Sequence, residues 1–357
     1  MPRWRLRASP ALAKSPYSDH DAPLPYPTGW FMLTPSRDLP SGGVLTCRLM
    51  GEDVVVYRTR GGQVRAVRPY CPHLGAHLGC GGRVDGELIV CPFHHFAFDT
   101  DGAVARTGPG YTGTPVRDRL TVLPCEEANG AVFTWASTDD TLPPTWHVPV
   151  LVPPAAWPGM RFARFEIPTH PQEIFENAVD VGHIRALHGF PDTQIGEPVR
   201  DGHTYSVPFR LTRPFPPFGT VAANSVVTHH GLGISHVILT DAHQRWRIDV
   251  LGAPRPVAPW RTVMTIGTVM TIGNSQRRNG FPLFTMGIPQ NALTRLSLLA
   301  LVTDIRPDLT IWAGKRYISP PHLTQGDGPI GPFRAWARQF YPTLRNIDST
   351  SQTRPDT

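Results

Sequence analysis

From Gly29 to about Trp135 the apolar positions come in short clusters separated by tight turns. Gly43-Val-Leu-Thr-Cys-Arg-Leu-Met50, Asp53-Val-Val-Val-Tyr-Arg58 and Glu87-Leu-Ile-Val90 read as strands, and Asp101-Gly102 sits between two such pieces as a hairpin turn would. This predicts a small antiparallel β domain over residues 26–142, preceded by a proline-, serine- and arginine-rich arm at 1–25. Six prolines between Pro143 and Pro158 interrupt any regular element and mark a linker at 143–160. Beyond it, Pro171 to Asp180 has helical spacing with acid near its start. Strand-like segments return at Ser206–Arg210, Ile234–Leu239 and Arg245–Val250, and a second helix is predicted from about Asn291 toward Arg306. A second domain at 161–347 and a polar tail at 348–357 complete the division.

Composition narrows the class. Apolar residues make up 40% of the 357 and charged residues 17%, enough apolar material for sizeable cores. The net charge of +6 rests on arginine, since lysine occurs only at Lys14 and Lys315. Apart from Arg3, Arg5 and Arg7 the basic residues are scattered, so a nucleic-acid partner is not expected. No run has the length of a membrane span, and the basic start lacks the apolar core of a secretory signal. Five cysteines, at 47, 71, 80, 91 and 125, form no dense disulfide framework, which suits a reducing cytoplasm.

Two of those cysteines have another use. The chain reads Cys71-Pro-His-Leu-Gly-Ala-His-Leu-Gly79, then Cys91-Pro-Phe-His-His-Phe96. Each loop carries one thiol and one imidazole, Cys71 with His73 and Cys91 with His94. Zinc fingers pair like ligands instead. The mixed set suits two irons, one taking both thiolates and the other both imidazoles. Gly75, Gly79, Gly81 and Gly82 let the backbone curl over sulfur, while His77 and His95 are expected to shape the loops. Cys80 and Cys125 are expected to be small buried hydrophobes.

The motif resembles the Rieske [2Fe-2S] domains of ring-hydroxylating and related non-haem iron oxygenases. By that resemblance Cys71 and Cys91 bind one iron and His73 and His94 the other. Ala76 and Phe93 stand where respiratory Rieske proteins place a disulfide, and Phe96 and Phe98 where they place a serine and a tyrosine. With fewer donors to sulfur, a potential near the low end of the Rieske range, about −150 mV, is expected. His95 stands where many oxygenase domains have glycine.

Downstream, Asp180 and His183 are three apart, as residues sharing a helix face would be, and His188 follows five later. Two imidazoles with one carboxylate form the open-sided set that holds oxygen-activating Fe(II). The segment resembles the E-N-x-x-D-x-x-H-x-x-x-x-H motif of Rieske oxygenase catalytic domains. The match implies that His183 and His188 bind iron, and that Asp180 bridges a ligand histidine to a Rieske histidine of a neighbouring subunit. Glu176 and Asn177 either surround the iron or substrate pocket or serve as helix acid and cap. The third ligand is Asp304 or Asp308. Asp308, three before Ile311-Trp312, matches the steroid-acting branch and is favoured, with Pro307 starting a new turn before it.

The stretches Ile311–Tyr317, Asp327–Ile330, Phe333–Trp336 and Gln339–Tyr341 resemble the branch containing 3-ketosteroid 9α-hydroxylase and cholesterol 7-desaturase. The resemblance implies an α+β chain: an antiparallel β Rieske domain, then a helix-grip (START-like) catalytic domain with a curved antiparallel sheet. It implies hydroxylation or desaturation of a large apolar polycyclic substrate with O2. Electrons come from NAD(P)H through a separate reductase, with or without a ferredoxin, since no Gly-x-Gly-x-x-Gly unit is present. A head-to-tail homotrimer follows from the same resemblance. Phe190, Phe215, Phe218, Leu232, Ile234, Val237, Val263, Met264, Ile266 and Met270 are candidate cavity residues. Competing readings are a tailoring oxygenase of another hydrophobic metabolite, a Rieske ferredoxin-type carrier and a zinc-stabilised module.

Overall fold

Strand after strand in the first half of the chain is too short to bury a core alone, and three small sheets share the work. The structure, a computed structural model, describes residues 16–18, 20–112, 118–139, 142–214, 220–272 and 289–342. Most of the predicted arm, the tail, Phe215 and Phe218 lie outside the described residues. The chain divides into a unit over Trp30–Val150 and a second formed by the residues flanking it on both sides.

In the first unit, β1 (Gly29–Pro35), β2 (Val44–Leu49), β3 (Glu52–Arg58), β4 (Val64–Val67), β5 (Arg83–Asp85) and β6 (Leu88–Val90) are followed by β7 (Ala97–Phe98), β8 (Val104–Arg106), β9 (Val122–Leu123), β10 (Cys125–Ala128) and β11 (Ala131–Ala136). They pair in the orders β1-β11-β10, β2-β3-β4-β9 and β5-β6-β7-β8. The apolar run of β3 is continuous because both of its faces are covered. Val54 and Val56 enter one core with Phe31, Leu33 and Val132. Val55 and Tyr57 enter another with Cys71, Cys91, Phe96 and Phe98. Each fully buried valine contributes roughly 1.5–3 kcal/mol, so the strand that stabilises this unit also anchors both cysteine loops.

The second unit contains β12 (Arg161–Ile167), β13 (Gln194–Ile195), β14 (Val199–Asp201), β15 (Thr204–Pro214), β16 (Thr220–His230), β17 (Ile234–Asp241), β18 (Trp246–Ala258) and β19 (Arg261–Ile272). Its sheet runs β12-β19-β18-β17-β16-β15-β13, with β14 also on β15. This corrects the predicted helix-grip domain. The order ends at β12 on one side and β13 on the other, and among the described residues those edges do not pair, so the sheet does not close around a helix. The unit is instead a mixed α/β arrangement. Side chains alternate between the faces, as strand geometry requires. Along β16, Ser225, Val227 and His229 are buried while Val226 is exposed. The predicted strand at Arg245 starts one residue later, because Arg245 stays in the turn and pairs with Asp241 at 2.6 Å.

The helix predicted over 171–180 stops early, as α1 (Pro171–Glu176), and a separate α2 (Val181–Ala186) follows it. His170 caps the first, its Nδ1 accepting from Gln172 N–H at 3.1 Å. Then come α3 (Gln290–Asp304), α4 (Arg306–Gly314) and α5 (Ile330–Ala337). None of the described helices is long and apolar enough to cross a membrane.

Candidate active site

Asp180 is not on a helix face with His183, as predicted; it is the N-cap of α2. Its Oδ1 accepts from the His183 backbone N–H at 2.9 Å, satisfying one donor of the first turn. That cap starts a second helix after the non-helical residues 177–180. The α2 helix closes at Ala186, and Gly189, at φ +68°, turns the chain just past His188. The two imidazoles meet with ring centroids 4.6 Å apart and planes at 81°.

The carboxylate arrives from the other side of the sequence. Ile305 ends α3 and begins α4. Pro307 occupies the first turn of α4, where a missing N–H costs nothing. Asp308 follows and is 2% exposed. Its Oδ1 lies 2.7 Å from His183 Nε2 and its Oδ2 lies 3.3 Å from His188 Nε2. One donor atom from each of the three residues falls within 4.8 Å of the others. Cis donors around an ion with bonds of about 2.1 Å sit about 3 Å apart, so the set fits a single metal ion. Asn177 Nδ2 donates to Asp308 Oδ1 at 3.0 Å and holds the carboxylate. Asp304 is outside the group: its Oδ2 lies 3.4 Å from His188 Nδ1 and steers the opposite nitrogen inward.

A cavity of about 280 Å³ opens beside this cluster. Its wall is part of one face of the sheet, alternate residues from the middle of β15–β19, including Phe209, Val227, Val237, Val250, Met264 and Ile266. Helix residues Ile174, Phe175 and Trp312 complete it. Of the candidate cavity residues, Phe190, Val237, Met264 and Ile266 line it; Leu232, Ile234, Val263 and Met270 do not. Leu232 and Ile234 are fully buried elsewhere in the core. Ser225 and His229 line the cavity too and were not singled out from the sequence, although the alternation along β16 places both with Val227. Glu176 does not line it. Its carboxylate takes two hydrogen bonds from Arg334, at 2.6 and 2.8 Å, and Lys315 sits 3.0 Å from neighbouring Glu173. Burial raises the Glu173 pKa against the pull of Lys315.

In the first unit, Cys71 and Cys91 are each 2% exposed and unbridged. Burial pushes the Cys71 thiol up to about 11, the His73 backbone N–H opposes this, and the Cys91 thiol adds to it. Two adjoining buried thiols with an amide aimed at sulfur fit thiolate ligands. The His73 and His94 rings lie 4.9 Å apart, and Tyr111, unremarked in the sequence, packs edge-on to both. His77 does hold its loop, with Nδ1 accepting from Gly79 N–H at 3.1 Å. His95 takes φ +61°, a left-handed conformation suited to the glycine of related domains. Phe96 and Phe98 are buried. Cys80, expected to be buried, is exposed.

Comparison with known proteins agrees with both halves. Residues 29–117 match the Rieske [2Fe-2S] domain, and residues 134–341 match the 3-ketosteroid 9alpha-hydroxylase C-terminal domain. The cholesterol 7-desaturase of Xenopus laevis is 29% identical over 95% of this chain and 77% of its own length. The probable 3-ketosteroid-9-alpha-monooxygenase oxygenase component of Rhodococcus rhodochrous is 26% identical over 91% and 82%. Among solved structures, dicamba monooxygenase bound to dicamba superimposes with a TM-score of 0.62 at 15% identity, over 90% of this chain and 98% of that one, a likeness of fold alone. A Rieske domain joined to a catalytic domain with a two-histidine, one-aspartate cluster over an apolar cavity places this chain in the 3-ketosteroid 9α-hydroxylase family of Rieske non-haem iron oxygenases, enzymes that use O2 and an external electron donor on hydrophobic substrates.

Proposed function

We propose that this oxygenase hydroxylates or desaturates a large, apolar, polycyclic substrate of steroid or sterol type. The observation that carries the reading is the cavity wall: a sheet face of alternating, mainly apolar residues ending at the His183–His188–Asp308 cluster. The names of the desaturase and 9-alpha-monooxygenase relatives point the same way.

In this reading Cys71, Cys91, His73 and His94 hold a [2Fe-2S] cluster, and His183, His188 and Asp308 hold Fe(II). The cluster supplies single electrons and the mononuclear iron supplies oxygen activation. Asn177 keeps Asp308 aimed at the metal through its 3.0 Å hydrogen bond, and Asp304 does the same for His188. The apolar wall excludes water, so a reactive oxidant meets substrate rather than solvent. Asp180 spends Oδ1 on the cap, and among the described residues nothing hydrogen-bonds its Oδ2. That oxygen is the one left to accept from a histidine of a neighbouring subunit's cluster in a head-to-tail trimer.

The test is incubation with an NAD(P)H-dependent reductase, O2 and a panel of sterols and 3-ketosteroids, followed by mass measurement. A gain of one oxygen or a loss of two hydrogens is expected. Unchanged masses across the panel, from protein holding both iron centres, would reject the substrate class.

A further inference from the structure

His229 stands apart in the cavity it lines. It is 1% exposed, and although the Phe175 carbonyl draws on the ring, neither Nδ1 nor Nε2 completes a hydrogen bond of ordinary geometry. Leaving a buried polar group unmatched costs about 1–3 kcal/mol, so a native fold that keeps one has a use for it. Packing alone does not explain the choice. Phe175 stacks on the ring at 4.3 Å and 15°, and Phe333 meets it edge-on at 5.7 Å, surroundings that leucine or phenylalanine would satisfy. Across the ladder its partner is Ser235, which also lines the cavity.

We propose that His229 is the polar anchor of the substrate cavity, exchanging a hydrogen bond with one uncharged oxygen, a hydroxyl or a ketone, on an otherwise apolar substrate. The inference rests on the apolar-substrate reading above and adds the group by which such a molecule is held in register. Burial first, then the neighbouring His230, push the His229 pKa down to about 3 against the opposing pull of the Phe175 carbonyl. The ring is therefore neutral, with one nitrogen donating and the other accepting. It matches an alcohol or a ketone and gives a carboxylate no charge to pair with. A hydrocarbon lacking the oxygen would leave the imidazole unmatched and bind more weakly.

Bicyclic fragments test this without assuming a steroid. Equilibrium binding of 2-decalol, 2-decalone and decalin would be measured on the holoprotein and on His229→Leu and His229→Gln. Their folding is checked by the visible spectrum of the cluster and by melting temperature. Wild type is expected to prefer an oxygenated fragment over decalin by about 10- to 100-fold. His229→Leu should erase the preference while keeping decalin affinity, and His229→Gln should restore part of it. Dependence of the decalone on His229 assigns donation from the ring N–H; dependence of the decalol alone assigns acceptance. Equal weakening of all three fragments in His229→Leu, or no preference in wild type, including no binding at all, overturns the proposal. An intact fragment preference with no steroid turned over would sink the substrate class and leave the anchor standing.

Discussion

His170 holds two backbone groups at once, and that sets its charge state. Nε2 lies 3.1 Å from the Pro25 carbonyl while Nδ1 accepts from Gln172 N–H, so the ring is neutral with its proton on Nε2. Burial pushes its pKa down to about 4 from 6.5. The unfolded chain takes up the proton first, so the stability conferred by the neutral ring is complete above about pH 6.5 and drains as the pH falls toward 4. The loss is on the order of 3 kcal/mol. Denaturant titrations between pH 7 and 4 should show it, and His170→Asn, which keeps a capping acceptor, should have a shallower slope by nearly one proton. Asp180 separates two roles in the same way. Asparagine caps a helix as well as aspartate does, so Asp180→Asn should retain fold and both iron centres. It should nonetheless slow substrate-dependent reoxidation of the cluster at least about tenfold, a loss typical of altering a hydrogen bond around a metal site. Rapid-mixing spectroscopy reads this directly, and a wild-type rate would remove the bridging role.

Between elements, the tie with most at stake is α1 to α5. Arg334 grips Glu176 with two hydrogen bonds, donates to the Ile318 carbonyl at 2.6 Å and lies over the Tyr317 ring at 4.5 Å. Removing one partner of a buried ion pair leaves the other charge poorly compensated, here, among the described residues, with only Lys315 at 3.7 Å from Glu176. Arg334→Met should therefore destabilise the second unit by about 3–5 kcal/mol, seen as a lower denaturant midpoint. Arg334→Lys should recover only part, because an ammonium cannot reproduce the paired geometry. The elements themselves were unevenly legible. The strands of the first unit and the start of α3 follow from apolar spacing and turn residues. The early end of α1 does not follow from the spacing over 171–180, and the start of α2 is set by the Asp180 cap, which spacing alone does not reveal. Openness of the large sheet is a property of how its edge strands pair, and no local pattern records that. Asp308 was legible through Ile311-Trp312, whereas His229 was not, because a lone histidine in an apolar strand reads as core until the cavity beside it is seen.

Across the whole chain the two proposed metal sites differ in how they are enclosed. Both cluster cysteines sit at the base of a packed core, while the His183–His188–Asp308 group borders an open cavity. Mild chelation should thus take about one iron of three and leave the two of the cluster, with the visible spectrum intact and turnover abolished until Fe(II) is returned. Loss of colour in step with activity would contradict the two-site assignment. The period-two wall also has a practical side for redesign. On β16 and β17 the odd-numbered residues from Ser225 to Leu239 that border the cavity point inward, and their even-numbered neighbours belong to the other face. A mutant library confined to those odd positions would resculpt the chamber and leave the outer surface untouched. A single inserted residue in β16 would instead turn the downstream half of that strand inside out.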